Sequence, residues 1–421
     1  MKIAVVYQYY QGPGSPGHSL CYELTQFLAT RGHSVTVVAG ETGYMRCDVP
    51  TLPWYRRLLR REQIGKVSVV RTFTYAEAQR NYIKRLVSYL SFSVSCVFGL
   101  LAIERPDVVL ASSPPIFPMF SSWLVCKLRG IPYVLEVRDL WPASAIQLGI
   151  LKNPLLIRIM SWMETLLYNQ SHKVVAVTEG IHDDICDRGW SREKVALINC
   201  GVDETILRPY PEGAQAVRSR YGWTNKKVVL YFGALGEANN IPVILRAAKR
   251  MGDRGDVLFV LIGDGMKRVE MERLGGEMAL RNVLVLPAAP KEEAASFISA
   301  ADLCLATLRD IPLFGGAIPT KLLEYMACGR PVLCGVRGEA KRIVEESGAG
   351  YAFEPDDDEA LSKRISALLD DEQQRGQLGQ KGLAYVRERF SALRMRHRME
   401  AVLEEAAGRS HKGGVGQRQM T

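Results

Sequence analysis

Paired cysteines, known phosphate-loop signatures and a long apolar N-terminal run are all missing from this sequence. The nine cysteines of the 421-residue chain include no CxxC pair, so the sequence indicates neither a disulfide framework nor a zinc-site pattern. We therefore expect a reducing, cytoplasmic compartment. The first residues are too briefly apolar for a secretory signal and predict a strand. With 47% hydrophobic and 24% charged residues, the composition excludes a disordered chain, a collagen-like fibre and a protein with many membrane spans.

Short apolar runs alternate with segments of helical spacing along nearly the whole chain. This alternation predicts parallel, doubly wound α/β sheets, and the length exceeds what one core usually supports. A Pro/Gly connector at 207–213 interrupts the pattern. We predict two Rossmann-like domains, 1–207 and 208–385, followed by a helix and tail at 386–421. The predicted strands are Lys2–Tyr7, Val35–Ala39, Val67–Val70, Val108–Ala111, Tyr133–Val137, Val174–Val177, Val195–Ile198, Val228–Phe232, Val257–Ile262, Val283–Leu286, Leu303–Ala306, Val332–Cys334 and Gly350–Phe353.

Positive charge is concentrated in one window. The formal net charge is +9, and residues 54–85 hold nine basic and two acidic side chains. The uncharged stretch 86–103 follows, long enough for a membrane span but containing four serines. Three interpretations stay open for it: a span, a core helix, or a helix at the membrane surface. Basic clusters beside apolar surface attract anionic lipid, so we predict an insertion at 54–103 that faces a membrane, the alternative being a solvated basic face. The predicted membrane contacts are Trp54, Arg56, Arg57, Arg60 and Arg61.

Three glycine-rich turns are candidates for holding a phosphate. They lie at 11–18, 232–240 and 262–266, each after a predicted strand, where parallel sheets bind their ligands. Glycines let backbone N–H groups approach an anion, and a following helix N-terminus favours it. The first turn spells neither GxGxxG nor a Walker A loop, and each turn alone is compatible with an ordinary strand-to-helix connection. The candidate ligand-binding glycines are Gly14, Gly17, Gly233, Gly236, Gly263 and Gly265.

The most specific segment is 317–334, AIPTKLLEYMACGRPVLC. Thr320 is predicted to cap the N-terminus of a helix, with Glu324 one turn further on. A carboxylate there can accept hydrogen bonds from a diol such as ribose, and Lys321 supplies a counter-charge for phosphate. The alternative is that both residues only support the start of the helix.

Several segments together resemble a known family. KLLEYMACGRPVL, IGDG, NCGVD and RGHSVTVV resemble family-four, GT-B-fold glycosyltransferases. ASSPP, EVRDLWPASA and LRDIPLFGGAIPTK resemble the subgroup that includes N-acetyl-L-fucosaminyl transferases of O-antigen assembly. The resemblance runs from Met1 to about Phe390. It implies two Rossmann-like domains facing across a cleft, a nucleotide held mainly by the second, and a C-terminal helix that returns to the first.

The resemblance also implies roles for particular residues. Glu324 matches the glutamate that binds the donor ribose, and Gly263 and Gly265 match the turn beside the nucleotide. Arg138 and Asp139 match a His-Asp pair near the transferred sugar, with a permanent cation in place of the imidazole. We assign these two as the catalytic residues.

The donor-binding pattern departs from the family in three places. Gly316 stands where the first acid of a two-glutamate motif is expected. Ala234 and Asn239 occupy the positions of an Arg and a Lys that many relatives aim at the diphosphate. We interpret this as a different donor clamp, formed by Lys321, by backbone N–H groups or by an arginine such as Arg309.

The implied activity is transfer of a sugar, N-acetylated in the subgroup, from a UDP-sugar to a polyprenyl-diphosphate-linked glycan in surface polysaccharide synthesis, with retention. The implied partners are the UDP-sugar, the lipid-linked acceptor and an anionic membrane surface, without nucleic acid, at the inner face of the plasma membrane. No DxD-like pair stands out, so we expect neither a metal nor a cofactor. Two alternatives remain: a non-hydrolysing UDP-sugar 2-epimerase, and a catalytically silent, membrane-binding subunit.

Overall fold

The computed structural model describes residues 1–14, 20–41, 53, 57–75 and 82–408, and it contains two separate sheets. The strands of the first sheet are β1 (Lys2–Val6), β2 (Ser34–Ala39), β3 (Leu59–Ile64), β4 (Val67–Thr72), β5 (Val108–Ser113), β6 (Tyr133–Val137), β7 (Lys173–Ala176) and β8 (Val195–Leu197). Their order is β3-β4-β2-β1-β5-β6-β7-β8, parallel throughout except for the antiparallel edge strand β3.

Helices cover both faces of this sheet because strand side chains alternate between two buried faces. The helices of the first domain are α1 (Leu20–Thr30), α2 (Tyr82–Leu101), α3 (Ile116–Arg129), α4 (Ala143–Gln147), α5 (Pro154–Gln170) and α6 (Glu179–Asp187). Val6 and Val38 belong to the core beneath α2, α3 and α5. Val5 and Val37 belong to the core on the α1 side.

The second sheet has the doubly wound order β11-β10-β9-β12-β13-β14, and all its pairs are parallel. Its strands are β9 (Lys227–Phe232), β10 (Val257–Ile262), β11 (Val283–Leu286), β12 (Leu303–Thr307), β13 (Val332–Gly335) and β14 (Gly350–Ala352). The order reverses between β9 and β12, and ligands bind at such switch points. The remaining helices are α7 (Pro211–Tyr221), α8 (Ile241–Arg250), α9 (Arg268–Glu277), α10 (Lys291–Ala300), α11 (Thr320–Ala327), α12 (Glu339–Ser347), α13 (Asp358–Asp370), α14 (Glu372–Arg389) and α15 (Ala392–Ala406).

The last helix returns to the first domain, as the resemblance implied. The Val202 N–H donates to the Phe390 carbonyl at 2.8 Å, and the Ala392 N–H donates to the Val202 carbonyl at 3.1 Å. Beyond this crossing, Met395 and Met399 of α15 pack into the core on the α1 side of the first sheet. The chain therefore closes on its starting domain.

The predicted strands are confirmed, with ends shifted by two residues at most. One strand was missed: β3 lies inside the basic window and pairs with β4. One local prediction was wrong, because α11 begins at Thr320 itself, after Pro319, and no side chain of the described residues caps its N-terminus.

The uncharged stretch 86–103 lies mostly on α2. Among the described residues, this helix alone is long and apolar enough to cross a membrane, and 44% of the tested window is buried. Phe92 and Cys96 pack into the core of the first domain. The opposite side of α2 exposes apolar side chains. One face of the helix therefore belongs to the core, as the core-helix interpretation predicted, and the opposite face is apolar and exposed.

Candidate active site

Two adjoining cavities separate the domains at the carboxyl ends of their strands. The larger cavity, which we call the crevice, has a volume of about 440 Å³ and lies against the ends of β9 and β10. The inner cavity, of about 300 Å³, continues between the loop after β6 and the segment before α11. Arg138, Leu308 and Thr320 line both cavities. A ligand spanning the two would pass these residues.

Glu324 lies in the wall of the crevice, one turn into α11. Its carboxylate is half-buried, and it accepts no hydrogen bond from the part of the chain that the structure describes. Burial raises the pKa of Glu324, an effect that the nearby Lys291 ammonium opposes. A half-buried acceptor without a donor is suited to a ligand that brings hydroxyl groups.

Lys321 lies beside Glu324 and is buried. Its Nζ donates to Asn239 Oδ1 at 2.9 Å and to the hydroxyl of Tyr231. Burial lowers the pKa of Lys321 to about 7, although the Glu324 carboxylate opposes this. Asn239, which stands where relatives carry a cation, therefore positions a lysine from another element. Lys321 forms no ion pair with the described residues, so an anionic ligand in the crevice would stabilise its ammonium.

A second lysine in the crevice was missed from the sequence. Lys291 is the first residue of α10, and its Nζ lies 2.7 Å from Glu23 Oε1 on α1 of the other domain. Glu23 also accepts from Arg396 of α15 at 2.6 Å. Lys291 therefore carries positive charge to the crevice and ties the two domains together.

The assigned catalytic pair lies where the two cavities meet. Arg138 follows β6, and its Nη2 lies 3.8 Å from the sulfur of Cys200. Asp139 lines the inner cavity and accepts from the Ser144 hydroxyl at 2.9 Å. Burial raises the pKa of Asp139, while its hydrogen bonds to Ser144 and to the Leu140 N–H oppose the shift. The pair thus offers a cation at the junction and an oriented carboxyl behind it.

The missing family glutamate has a packing reason. Gly316 approaches Gly180 of α6 so closely that a Cβ on Gly316 would lie 2.8 Å from the Gly180 Cα. The Thr178 hydroxyl donates to the Gly316 carbonyl at 2.7 Å, and Glu339 accepts from the Gly180 N–H at 2.9 Å. A side chain at 316 would separate these backbones. The position therefore forms a contact between the domains at the wall of the inner cavity.

The glycines of the second domain divide into two kinds. Gly233 and Gly263 line the crevice, whereas Gly236 and Gly265 are absent from its wall. Gly265 has φ +151°, and a Cβ there would lie 2.5 Å from the Leu235 carbonyl oxygen, so it serves the close packing of two turns. In the first domain, the Gly14 N–H donates to Glu292 at 3.2 Å. Gly17 lies outside the described residues.

The clamp suggested for Arg309 is not supported. Its guanidinium lies 2.8 Å from Glu237, is 42% exposed, and is absent from the walls of both cavities. The described cations that line the crevice are Arg138, Lys291 and Lys321.

The structure corrects the predicted membrane role of Arg57. Its guanidinium pairs with Glu41 at 2.6 Å, and the side chains of the two are 12% and 0% exposed. Arg57 therefore serves as an internal ion pair. Arg60 is half-buried in β3, and the exposed Arg61 donates to the Ala102 carbonyl at 2.7 Å. Trp54 and Arg56 lie outside the described residues.

One group of possible metal ligands occurs within the described ranges. It comprises His33, Glu400 and Glu404, at the amino end of β2 and away from the crevice. His33 and Arg31 already contact the Glu400 carboxylate at 2.8 and 3.2 Å. We interpret the group as an ion-pair network, and metal-independence of the reaction stays a prediction.

Both halves of the chain match glycosyltransferase families. Residues 19–201 match the family described as "Glycosyl transferase 4-like domain", and residues 215–384 match "Glycosyl transferases group 1". The Escherichia coli K12 protein "Putative colanic acid biosynthesis glycosyl transferase WcaI" is 24% identical over 82% of this chain and 87% of its own length. "Probable glycosyltransferase WbjE" of Pseudomonas aeruginosa is 26% identical over 63% of this chain and 67% of its own length.

Solved structures share the fold. Sucrose-phosphate synthase from Thermosynechococcus elongatus superposes with a TM-score of 0.73 at 17% identity, covering 96% of this chain and 98% of its own. Anabaena HepE in complex with UDP and glucose superposes with a TM-score of 0.72 at 17% identity, covering 96% of this chain and 99% of its own. Two matched domains in this order, closing on one crevice, show that the chain belongs to the GT-B-fold glycosyltransferases and is a transferase enzyme.

Proposed function

We propose that this glycosyltransferase moves a sugar from a UDP-sugar to a polyprenyl-diphosphate-linked glycan during bacterial surface polysaccharide synthesis. The carrying observation is the Glu324 carboxylate, which accepts no hydrogen bond from the described residues and lies in the same crevice as the Lys321 ammonium. A ribose diol and a diphosphate satisfy both groups at once. The structural neighbour HepE is described with UDP and with UDP-glucose, which supports uridine as the base.

The reaction breaks the bond between sugar C1 and the β-phosphate oxygen and forms a bond from C1 to an acceptor hydroxyl oxygen. UDP leaves with the electron pair of the broken bond, and the acceptor hydroxyl loses its proton. Lys321 and Lys291 stabilise the charge that develops on the diphosphate, and Arg138 adds a cation at the junction with the inner cavity. Most of the rate then comes from positioning and electrostatics.

The leaving phosphate is the proposed proton acceptor, which gives retention at C1. Gly316 offers no carboxylate beside the sugar, and the Asp139 carboxylate in the wall of the inner cavity already accepts a hydrogen bond from Ser144. Asp139 therefore orients the loop that carries Arg138 instead of attacking C1. The inner cavity, with apolar walls such as Leu313 and Phe314, receives the transferred sugar. An N-acetylated sugar, as in the subgroup that the sequence resembles, suits apolar walls.

The lipid-linked acceptor is what the resembled subgroup implies, and the exposed apolar side chains of α2 on the first domain are consistent with it. WcaI is named for colanic acid biosynthesis. Such an acceptor places the enzyme at the inner face of the plasma membrane, in O-antigen, lipopolysaccharide or capsule assembly. The epimerase alternative is disfavoured because both halves match glycosyltransferase families. The silent subunit is disfavoured because the crevice retains Glu324 and its cations.

Release of UDP tests the proposal. Purified protein is incubated with a panel of UDP-sugars and with polyprenyl-diphosphate-linked glycans in vesicles. We expect UDP release that requires both substrates and forms a longer lipid-linked glycan. Interconversion of UDP-sugars without an acceptor would establish the epimerase instead, and UDP binding without any turnover would establish the silent subunit.

A further inference from the structure

Three neighbouring helices on one face of the first domain expose large apolar side chains. Of the seventeen large hydrophobic residues exposed among the described residues, eleven lie on α2, α3 and α5. We call them the apolar ridge. They are Ile83, Val87, Leu90, Val94, Phe98 and Leu101 of α2, Leu124 and Leu128 of α3, and Leu155, Ile159 and Trp162 of α5.

The ridge is continuous. The six residues of α2 recur every three or four positions and so share one side of the helix, opposite the buried Phe92 and Cys96. Helices α2 and α3 pack along their length, and α3 also packs on α5. Phe120 of α3 contacts the Trp162 ring of α5, with centroids 5.8 Å apart. A connected apolar surface of this kind marks an interaction site.

The charged residues beside the apolar ridge indicate what binds to it. The three helices carry the five basic residues Lys84, Arg85, Lys127, Arg129 and Arg158, and a single acidic residue. That acid, Glu164, is buried and paired with Arg188 at 2.6 Å. Lys84, Lys127 and Arg158 are exposed, whereas Arg85 and Arg129 are half-buried and donate to Tyr89 and to the Leu100 carbonyl. Exposed apolar side chains flanked by three exposed cations match an anionic lipid surface. A second copy docked through the same face would oppose its own cations across a two-fold axis.

The ridge also adjoins the catalytic loop. Trp141 contacts the rings of Tyr89 on α2 and Phe117 on α3, with centroids 6.3 and 6.4 Å away. The Trp141 N–H donates to the Asp139 carbonyl at 3.0 Å, and Asp139 lines the inner cavity. One layer of aromatic side chains therefore separates the ridge from the place where the sugar is transferred.

We propose that the apolar ridge inserts into an anionic lipid bilayer and is the membrane-docking surface of this enzyme. The helices lie in the plane of the interface, because their other sides form the core of the domain. Docking there holds the inner cavity close to headgroup level, and this purpose rests on the proposed lipid-linked acceptor. We do not assign the anchor to the basic window predicted from the sequence, because its Arg57 forms an internal ion pair with Glu41.

Flotation with vesicles tests the surface. Vesicles of about three parts phosphatidylcholine to one part phosphatidylglycerol are compared with phosphatidylcholine alone. The ridge variant is Phe98→Glu combined with Leu128→Glu, at positions 61% and 79% exposed. The matched control is Val269→Glu combined with Leu393→Glu, two exposed apolar residues off the ridge. A third protein carries Arg60→Gln and Arg61→Gln.

We expect wild type and the control to float with anionic vesicles, and the ridge variant to lose roughly tenfold or more in vesicle affinity. The Arg60/Arg61 variant should lose less than the ridge variant. Calorimetric binding of UDP, measured without lipid, should be equal in all four proteins.

Equal flotation of the ridge variant and wild type, or failure of wild type to float, would overturn the docking surface. A dimer that only the ridge variant dissociates would assign the face to a second copy. Failure of UDP binding in every protein would instead count against the proposed donor, so the two failures are distinguishable.

Discussion

The two domains share one α/β architecture but differ on their outer surfaces. The first exposes the apolar ridge, whereas between residues 208 and 390 only Tyr210 and Val269 are large, hydrophobic and exposed. The second domain covers α8 and α13 with ion pairs, such as Arg246 and Arg250 with Asp358 at 2.9 and 2.5 Å. Packing a doubly wound sheet thus requires no exposed apolar helix face. The proposed docking accounts for the difference, because it places the first domain against lipid and leaves the second domain in water.

The largest expected effect is on stability, and it distinguishes Arg57, which is paired inside the fold, from Arg61 on the surface. Arg57→Gln leaves the buried Glu41 carboxylate without its partner and should lower the free energy of unfolding by about 3 kcal/mol or more. Arg61→Gln removes an exposed cation and should change it by less than about 0.5 kcal/mol. Urea denaturation measures both. Equal losses of unfolding free energy would mean that the Arg57 charge lies on the surface. The basic window would then remain a candidate for membrane binding beside the apolar ridge.

The next prediction concerns the contact that joins the two domains. Gly180→Ala places a Cβ 2.2 Å from the Gly316 Cα, so the closed arrangement has to shift. We expect a loss of roughly hundredfold in kcat/KM, because small displacements between reacting groups are costly. Gly275→Ala, on α9 with nothing within 4 Å, is the matched control. Full activity of Gly180→Ala would show that the contact does not set the catalytic geometry.

A smaller effect, the pH dependence of UDP-sugar affinity, tests whether the second domain binds the donor. The pKa of Lys321 is lowered to about 7 by burial, and a bound diphosphate favours its protonated form. Below pH 7 the ammonium is already present, so affinity for a UDP-sugar should be constant there. As pH rises above 7, binding has to take up a proton, and affinity should fall by up to about tenfold per pH unit.

Calorimetry in buffers of different ionisation enthalpy measures this proton uptake. A UDP-sugar is the suitable ligand because its diphosphate diester does not titrate near neutrality. Lys321→Gln should bind more weakly and without uptake, while Lys249→Gln, on the exposed end of α8, should behave as wild type. Uptake that persists in Lys321→Gln would assign the proton to another group.

The sequence predicted the fold well because its signals are local. Apolar runs such as Val257–Ile262 mark buried strands wherever they occur. Strand β3, LRREQI, escaped because an edge strand buries little and so lacks the apolar pattern. Its pairing with β4 is visible only in three dimensions.

The residues of the site also fall into those that local sequence signals predict and those that depend on tertiary packing. Glu324 and Lys321 were found because they share one motif-bearing helix. Lys291 was missed because only the closure of the domains brings α10 to Glu23 of α1. Arg57 was misassigned because counting charge cannot reveal a buried partner. The α2 part of the ridge was open to a helical-spacing argument, but Leu128 and Trp162 join it only through the packing of three helices.

Calorimetric titration of wild type and Glu324→Ala with UDP tests the central claim, that the crevice of the second domain holds a uridine nucleotide through its ribose. Loss of a charge-assisted hydrogen bond should weaken affinity by about 1.5–3 kcal/mol, roughly ten- to hundredfold. Glu272→Ala, an exposed carboxylate on α9, should bind as wild type does, and all three proteins should float equally with anionic vesicles. Unchanged UDP affinity in a folded Glu324→Ala protein would contradict the account.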